Sequence, residues 1–490
     1  MKILLKNGLV FDGSNAAPKQ SDVLIENDRI VKVAKDIDSE ADEVIDCTGL
    51  HVAPGFIDAH SHNDYFATRD DATTCIKPFV MQGITTQIVG NCGFSVIGVD
   101  KEVKNKELLD KTLFQSNAYG SLEDVVKNFT NKLDINLVPL VGHGSCRISA
   151  SGMKAGKLTP EESKTMCDLL ERDLKAGAWG ASYGLMYEPG MFAPKEELIE
   201  FAKVVKKYDG ILTIHPRACS NTSQGFPLLK KHHLELGLKE FTDVLEATGC
   251  RGEYSHLIFT GAKSWPRVDS MLGKFKESKD KGLQIGYDMY SYTFGASVIT
   301  IFLNPDFLAL PIEKRMKGFP YLKAFFLMSI SMKVLGMTFD DVKIAYIGNG
   351  YEKYEGMKLL DVAKEEGLSP VKTYFKLVNV SNGKGRLYID KYYNKEIIER
   401  LMKEDDSIFM TDAWYEDKGV QQASCFTCYP HFFELAKEFG INEEVIVNKM
   451  SGKIADRYKL IDRGYLKEGY KADVTIYKDF KVINENESAE

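Results

Sequence analysis

Pro54-Gly55-Phe56-Ile57-Asp58-Ala59-His60-Ser61-His62 is an apolar run that ends in two histidines one residue apart. Along a β-strand, alternate side chains face the same way, so His60 and His62 leave the strand end on one side. Two imidazoles placed like this can grip one divalent metal ion, and imidazole suits zinc and other borderline ions. On its own such a pair is a weak signal, because histidine has many uses. Its weight comes from the rest of the chain.

Downstream, apolar runs end repeatedly in a further donor. Ile84-Thr-Thr-Gln-Ile-Val-Gly90 is followed by Asn91-Cys92-Gly93, and Gly210-Ile-Leu-Thr-Ile214 by His215. Glu253-Tyr-Ser255 is followed by His256, and Ser407-Ile-Phe-Met-Thr411 by Asp412. Each has an ordinary structural reading: Cys92 as a small buried residue, His256 as a satisfied core histidine, Asp412 as a helix cap. Six such residues at successive strand ends read together as a metal site.

The strands alternate with amphipathic helices. The pattern predicts strands over 137–142, 180–184, 211–214 and 253–257. It predicts helices over 160–176, 195–208 and 239–248, with Thr159 as N-cap and Glu161-Glu162 in the first turn of the earliest. Repeated β-then-α units indicate a parallel sheet. The length fits a closed TIM-like (β/α)8 barrel, which carries its chemistry at the C-terminal strand ends. The first fifty residues read instead as short strands and turns, too little chain to bury a core alone. Gly469–Tyr477 reads as a strand after a glycine turn, and the two chain ends are expected to pair in one sheet. The expected organisation is a β-sandwich from 1–56 and 455–490 around a hydrolase barrel over 57–454, with an inserted helical segment at about 304–349. Phe325–Met337 within that insertion is apolar and rich in methionine. It reads as an extra core helix, a subunit contact, or a lid giving the substrate an apolar wall. Asn484–Glu490 reads as a frayed tail.

Composition removes several classes. The chain has 490 residues, 44% of them hydrophobic, and a formal net charge of -7, which argues against general nucleic-acid binding. No apolar run reaches the ~18 residues of a membrane span, and Met1-Lys2-Ile3-Leu4-Leu5-Lys6 is too short for a secretory signal. Nine cysteines without framework spacing read as reduced thiols in a cytoplasm. Cys425-Phe-Thr-Cys428 has no second pair to make a zinc ribbon and reads as structural. Oligomeric state is not readable.

Nearly its whole length resembles the N-acyl-D-amino-acid deacylases (D-aminoacylases) of the amidohydrolase superfamily. The resemblance is carried by Pro54–His62, Gly90-Asn-Cys-Gly93, Leu140–Arg147, Gly184–Gly190, Thr213-Ile-His-Pro-Arg217, Ser255-His256, Tyr287–Tyr292, Thr411-Asp412 and Asp462–Asp473. It implies a barrel with a β-sandwich from both chain ends. It also implies a tight zinc position held by Cys92, His215 and His256, and a weaker divalent position held by His60, His62 and Asp412. Many superfamily members bridge two metals with a carboxylated lysine; Gly180-Ala-Ser-Tyr-Gly184 offers none, which agrees with the branch that uses a cysteine ligand.

The activity implied is hydrolysis of a linear amide, most simply a small-molecule N-acyl-D-amino acid, with Asp412 as general acid and base. Tyr187, Arg217, Tyr292 and His143 are the candidate substrate contacts, His143 equally a support for a ligand. Asp64 reads as a partner for a ligand imidazole or as a helix cap. Two departures bear on the substrate. Ile258 stands where D-aminoacylases commonly show a lysine, and Gln421–His431 replaces a segment bearing an arginine, with His431 near its place. Both absent cations would meet a substrate carboxylate. Two alternatives remain at this stage: a hydantoinase- or dihydroorotase-like hydrolase of cyclic amides, and a non-catalytic scaffold on the same fold.

Overall fold

A computed structural model describes residues 1–480 other than 111, 113, 114, 224, 227–231, 309, 311, 316 and 417. The expected frayed tail at 484–490 lies outside the described residues. Eight parallel strands follow one another around a barrel: Phe56–Asp58, Ile84–Val89, Asn136–Gly142, Gly180–Gly184, Ile211–His215, Arg251–Tyr254, Ile285–Met289 and Ser407–Phe409. Each pairs in parallel with its successor. The first and eighth strands meet through a parallel bridge between Ser61 and Ala413. Beside that thin seam, Asp58 accepts from Thr411 N at 2.9 Å and Thr411 Oγ1 at 2.7 Å, so a carboxylate closes the barrel where the ladder is sparse.

The strands are buried on both faces, as in an all-parallel sheet under helices. The helix Pro160–Lys175 shows how the sequence places its cover. Thr159 caps it with a reciprocal bond from Glu162, and Pro160 occupies its first turn. Met166, Leu169, Leu170, Asp173 and Leu174 then face inward, the spacing of one helix face. The single charge on that face is satisfied: Asp173 accepts from Gly98 N at 2.7 Å and Leu122 N at 3.1 Å and pairs with Arg172 at 2.8 Å.

Two elements differ from expectation. The helix expected from 239 begins at His233. Gly237 inside its first turns, a residue that weakens a helix, hid the extension. The strand expected over 253–257 ends at Tyr254, because His256 turns to a φ of 35°.

Both chain ends share a six-stranded sheet. Val474–Tyr477 pairs antiparallel with His51–Pro54, which pairs with Lys2–Val10; Lys19–Glu26 and Arg29–Ala34 continue outward, and Glu43–Asp46 also flanks the Lys2–Val10 strand. Between the seventh and eighth barrel strands the chain makes a three-stranded antiparallel sheet, with Arg386–Ile389 between Gly295–Val298 and Val342–Tyr346. The same stretch holds the helix Gly318–Leu335. Cys425 and Cys428 are buried in the helix Ser424–Phe439, where the Cys428 thiol meets the Met410 carbonyl at 3.2 Å.

Candidate metal centre

All six donors read from the strand ends converge at the C-terminal mouth of the barrel. The Cys92 Sγ atom lies 3.3 Å from His60 Nε2, 3.5 Å from His215 Nδ1 and 3.6 Å from His256 Nε2. Asp412 Oδ1 lies 3.5 Å from both His60 Nε2 and His62 Nε2. Ligands at about 2.0–2.3 Å from a tetrahedral zinc stand roughly 3.3–3.8 Å from one another, so the spacings around Cys92 and those around Asp412 each fit donors that share an ion. Two donor groups emerge, His60 with Cys92 and His256, and His60 with His62 and Asp412. His60 therefore belongs to both, whereas the sequence pairs it only with His62 and Asp412.

The electrostatics favour a cation. Burial lowers the imidazole pKa values of His60, His62 and His256, and that of His215 farther, leaving neutral rings with lone pairs to offer. Burial pushes the Cys92 thiol well up, so only a strong local positive charge makes it a thiolate there. At Asp412 burial acts upward, but the surrounding imidazoles outweigh it and hold the carboxylate low.

Aiming these side chains requires unusual backbone. Cys92, His256 and Asp412 sit at φ 53°, 35° and 47°, in the left-handed region, where a non-glycine residue costs on the order of 1–3 kcal/mol. Close packing holds them there. An added Cβ at Gly184 would lie 1.9 Å from the Cys92 carbonyl oxygen, so only glycine lets the fourth strand pass under the Cys92 turn. Ser182 on that strand donates to Gly90 O at 2.6 Å and accepts from Gly93 N at 3.0 Å, bracketing Cys92. This serine takes part in the site at a strand that the sequence marks only by its lack of lysine.

Two buried acids beneath the donors are further residues the sequence did not single out. Asp58 accepts from His60 N at 3.2 Å and Gln87 Nε2 at 3.1 Å. Asp288 accepts from the His256 backbone and lies 3.7 Å from His60 Nδ1. Each holds the main chain of a donor histidine in place, Asp58 that of His60 and Asp288 that of His256. Asp58 stands in the opening motif and Asp288 in Tyr287–Tyr292, but an aspartate at a strand end carries no mark of which way it turns. Asp64 does not meet an imidazole; it accepts from Val96 N at 3.2 Å and ties down the loop after Cys92.

The four candidate substrate contacts divide. Tyr187 lines the cavity over the donors, its hydroxyl 3.4 Å from His215 Nδ1. Arg217 lines it too, but its guanidinium is committed to Glu240 at 3.0 Å and to the Met191 and Ala193 carbonyls at 2.6 and 3.1 Å. Tyr292 is turned away, bonded to Thr427 at 2.6 Å and stacked on His431 at 4.5 Å. His143 is likewise not among the residues lining the cavity. It joins a buried network, Nε2 at 2.9 Å from Glu197, which also accepts from the fully buried Arg147 at 2.9 Å. Because arginine stays charged, Glu197→Gln strands a buried cation. This variant is expected to lose about 3–5 kcal/mol of stability, read by urea denaturation, with metal content of the folded fraction unchanged.

The cavity has a volume of about 470 Å³, with His62, Cys92, His215, His256 and Asp412 among its walls. Ile258, Phe302, Trp414 and the side chains of Leu327, Ile330 and Val334 from the Gly318–Leu335 helix supply an apolar surround. Arg386 also lines it, 4.0 Å from Glu416, a cation that no motif along the chain marks.

An eight-stranded parallel barrel with histidine, cysteine and aspartate donors at its C-terminal mouth has the architecture of an amidohydrolase. No family model matches the chain. Over 97% of its length it is 26% identical to the D-aminoacylase of Alcaligenes xylosoxydans xylosoxydans, covering 87% of that protein. It is 29% identical to the N-acyl-D-glutamate deacylase of the same organism over 61% of this chain and 59% of that one. The fold superposes on the N-acyl-D-glutamate deacylase of Bordetella bronchiseptica, crystallised with zinc and a phosphonate mimic of the tetrahedral intermediate. That match has a TM-score of 0.81 at 22% identity and covers 99% and 93% of the two chains. A dihydropyrimidinase from Brevibacillus agri is more distant, with a TM-score of 0.54.

Proposed function

We propose that this protein is a zinc-dependent amidohydrolase that cleaves a linear amide, an N-acyl-D-amino acid or a related N-acyl compound. The observation that carries the reading is the Asp412 carboxylate, 3.5 Å from the imidazoles of His62 and of His60, which is shared with the Cys92 cluster, and on the wall of the cavity. A bound zinc ion supplies Lewis acidity and an activated water. Cys92, His215 and His256, with His60 shared between the two donor groups, hold it. Asp412, kept ionised, takes a proton from the attacking water and returns it to the departing amine. The Tyr187 hydroxyl is placed to donate to the oxygen that gains negative charge. His62 and Asp412 complete a second, weaker cation position. Nine free cysteines support a reducing compartment such as the cytoplasm; no helix among the described residues is long and apolar enough to cross a membrane.

The cyclic-amide reading loses ground to the cysteine donor, the absence of a lysine on the fourth strand, and the lower structural similarity of the dihydropyrimidinase. The test measures, with zinc-loaded protein, amine release from matched N-acyl D- and L-amino acids and neutral N-acyl amines, and ring opening of dihydropyrimidines and hydantoins alongside them. Turnover of linear amides is expected. Hydrolysis of dihydropyrimidines or hydantoins alone would replace this reading with the cyclic one.

A further inference from the structure

The helix Gly318–Leu335 roofs the cavity with one face and turns another outward. Ala324, Met328 and Met332 are buried beneath it. Phe319, Leu322, Phe326, Ile330 and Val334 are exposed, Phe319 by 76% and Phe326 by 64%. Their spacing of three, four, four and four puts them in one stripe along the helix. They are five of the twelve large apolar side chains exposed among the described residues, and the only exposed phenylalanines there. An unbroken apolar stripe of this kind marks an interaction surface.

Three observations say what it meets. First, charge: residues 314–335 contain Lys314, Arg315, Lys317, Lys323 and Lys333 and no acid, in a chain of net charge -7. Arg315 turns inward to the Leu310 carbonyl at 2.8 Å and Glu188 at 3.7 Å, and Lys323 pairs with Asp306 at 3.2 Å, while Lys314, Lys317 and Lys333 are exposed. Lysines flanking exposed phenylalanine and leucine are the pattern of a helix that lies in a lipid interface. Second, self-association is disfavoured. A two-fold contact sets the same patch against itself, which would bring the lysines of both copies together. Third, continuity: Ile330 and Val334 belong both to the exposed stripe and to the cavity wall, so the outer apolar surface and the cavity share two side chains.

We propose that the Gly318–Leu335 helix lies on an anionic lipid surface, and that the cavity beneath it receives the hydrocarbon chain of an N-acyl substrate held in that surface. The proposal rests on the amidohydrolase reading for its chemistry and on the helix for its surface. Phosphatidylcholine supplies only apolar contact; added phosphatidylglycerol supplies the charge that the lysines meet.

The experiment takes zinc-loaded full-length protein and compares it with a Phe319→Ser/Leu322→Ser/Phe326→Ser variant, none of whose substituted residues lines the cavity. Co-sedimentation with phosphatidylcholine vesicles containing phosphatidylglycerol is measured first. Wild type is expected to bind, more tightly as phosphatidylglycerol rises, and the variant at least tenfold more weakly. Amine release is then measured from acetyl, octanoyl and hexadecanoyl amides of one amine. The two proteins are expected to match on the soluble acetyl amide. On the hexadecanoyl amide in vesicles, wild type is expected to exceed the variant at least tenfold. Absence of vesicle binding, or equal binding by both proteins, overturns the proposal. So does wild type sedimenting as a dimer that the substitutions convert to monomer, which assigns the stripe to a second copy. A wild-type preference for acetyl over hexadecanoyl amide in vesicles overturns the assignment of the cavity. Vesicle binding without turnover of any linear amide would instead fail the amidohydrolase reading and leave the lipid surface supported.

Discussion

Asp412→Asn is expected to retain zinc and to lose amide turnover by about 10²–10⁴-fold, the range for removing a positioned general acid–base. The substitution is nearly isosteric, and asparagine accepts the left-handed backbone that Asp412 adopts at φ 47°. The Asp412 N–H bond to the His60 carbonyl at 3.0 Å does not involve the side chain and survives. What changes is the charge: an amide accepts no proton from water, and it no longer supports the imidazoles of His60 and His62. Metal analysis beside steady-state rates separates the outcomes. Zinc retained with turnover near wild type would remove Asp412 from proton transfer. Zinc lost together with turnover would make its role that of a ligand alone.

Cys92→Ala is expected to lose metal rather than merely slow the reaction. The thiol is the common neighbour of three imidazoles at 3.3–3.6 Å, and as a thiolate it is the soft, negative donor of the set. Changing an outer-sphere partner already costs roughly 10–100-fold in metal affinity, and removal of the ligand itself is expected to exceed that. Cysteine and alanine both carry a Cβ, so the strain at φ 53° is unchanged, and the fold should persist. Competition with a zinc chelator reads the affinity directly. An affinity within a few-fold of wild type would show that the imidazoles hold the ion without the thiol.

Arg217 and Ile258 bear on the substrate. The sequence leaves Arg217 as a cation for a substrate carboxylate, but Glu240 and two carbonyls occupy its guanidinium. Ile258 adds to the apolar wall instead of a charge. Arg386 is a second guanidinium on the cavity wall, 4.0 Å from Glu416. It comes from the sheet between the seventh and eighth barrel strands, outside the motifs that carry the metal donors.

The sequence by itself determined the barrel and its donors, because both are local patterns. A parallel strand buried on both faces is a short apolar run, and a donor stands at its end or a few residues farther on. His60, His62, Cys92, His215, His256 and Asp412 could be read one strand at a time, and strand order put them on one rim. Tertiary structure alone decided what depends on contacts across the chain. It gave His60 two sets of neighbours, placed Asp58 on Thr411 and Asp288 on the His256 backbone, and turned His143 and Tyr292 away from the cavity. It also decided that the apolar helix at 318–335 has an inner and an outer face. A helix apolar around most of its circumference carries no periodicity to say which side is covered; only the elements packed against it do.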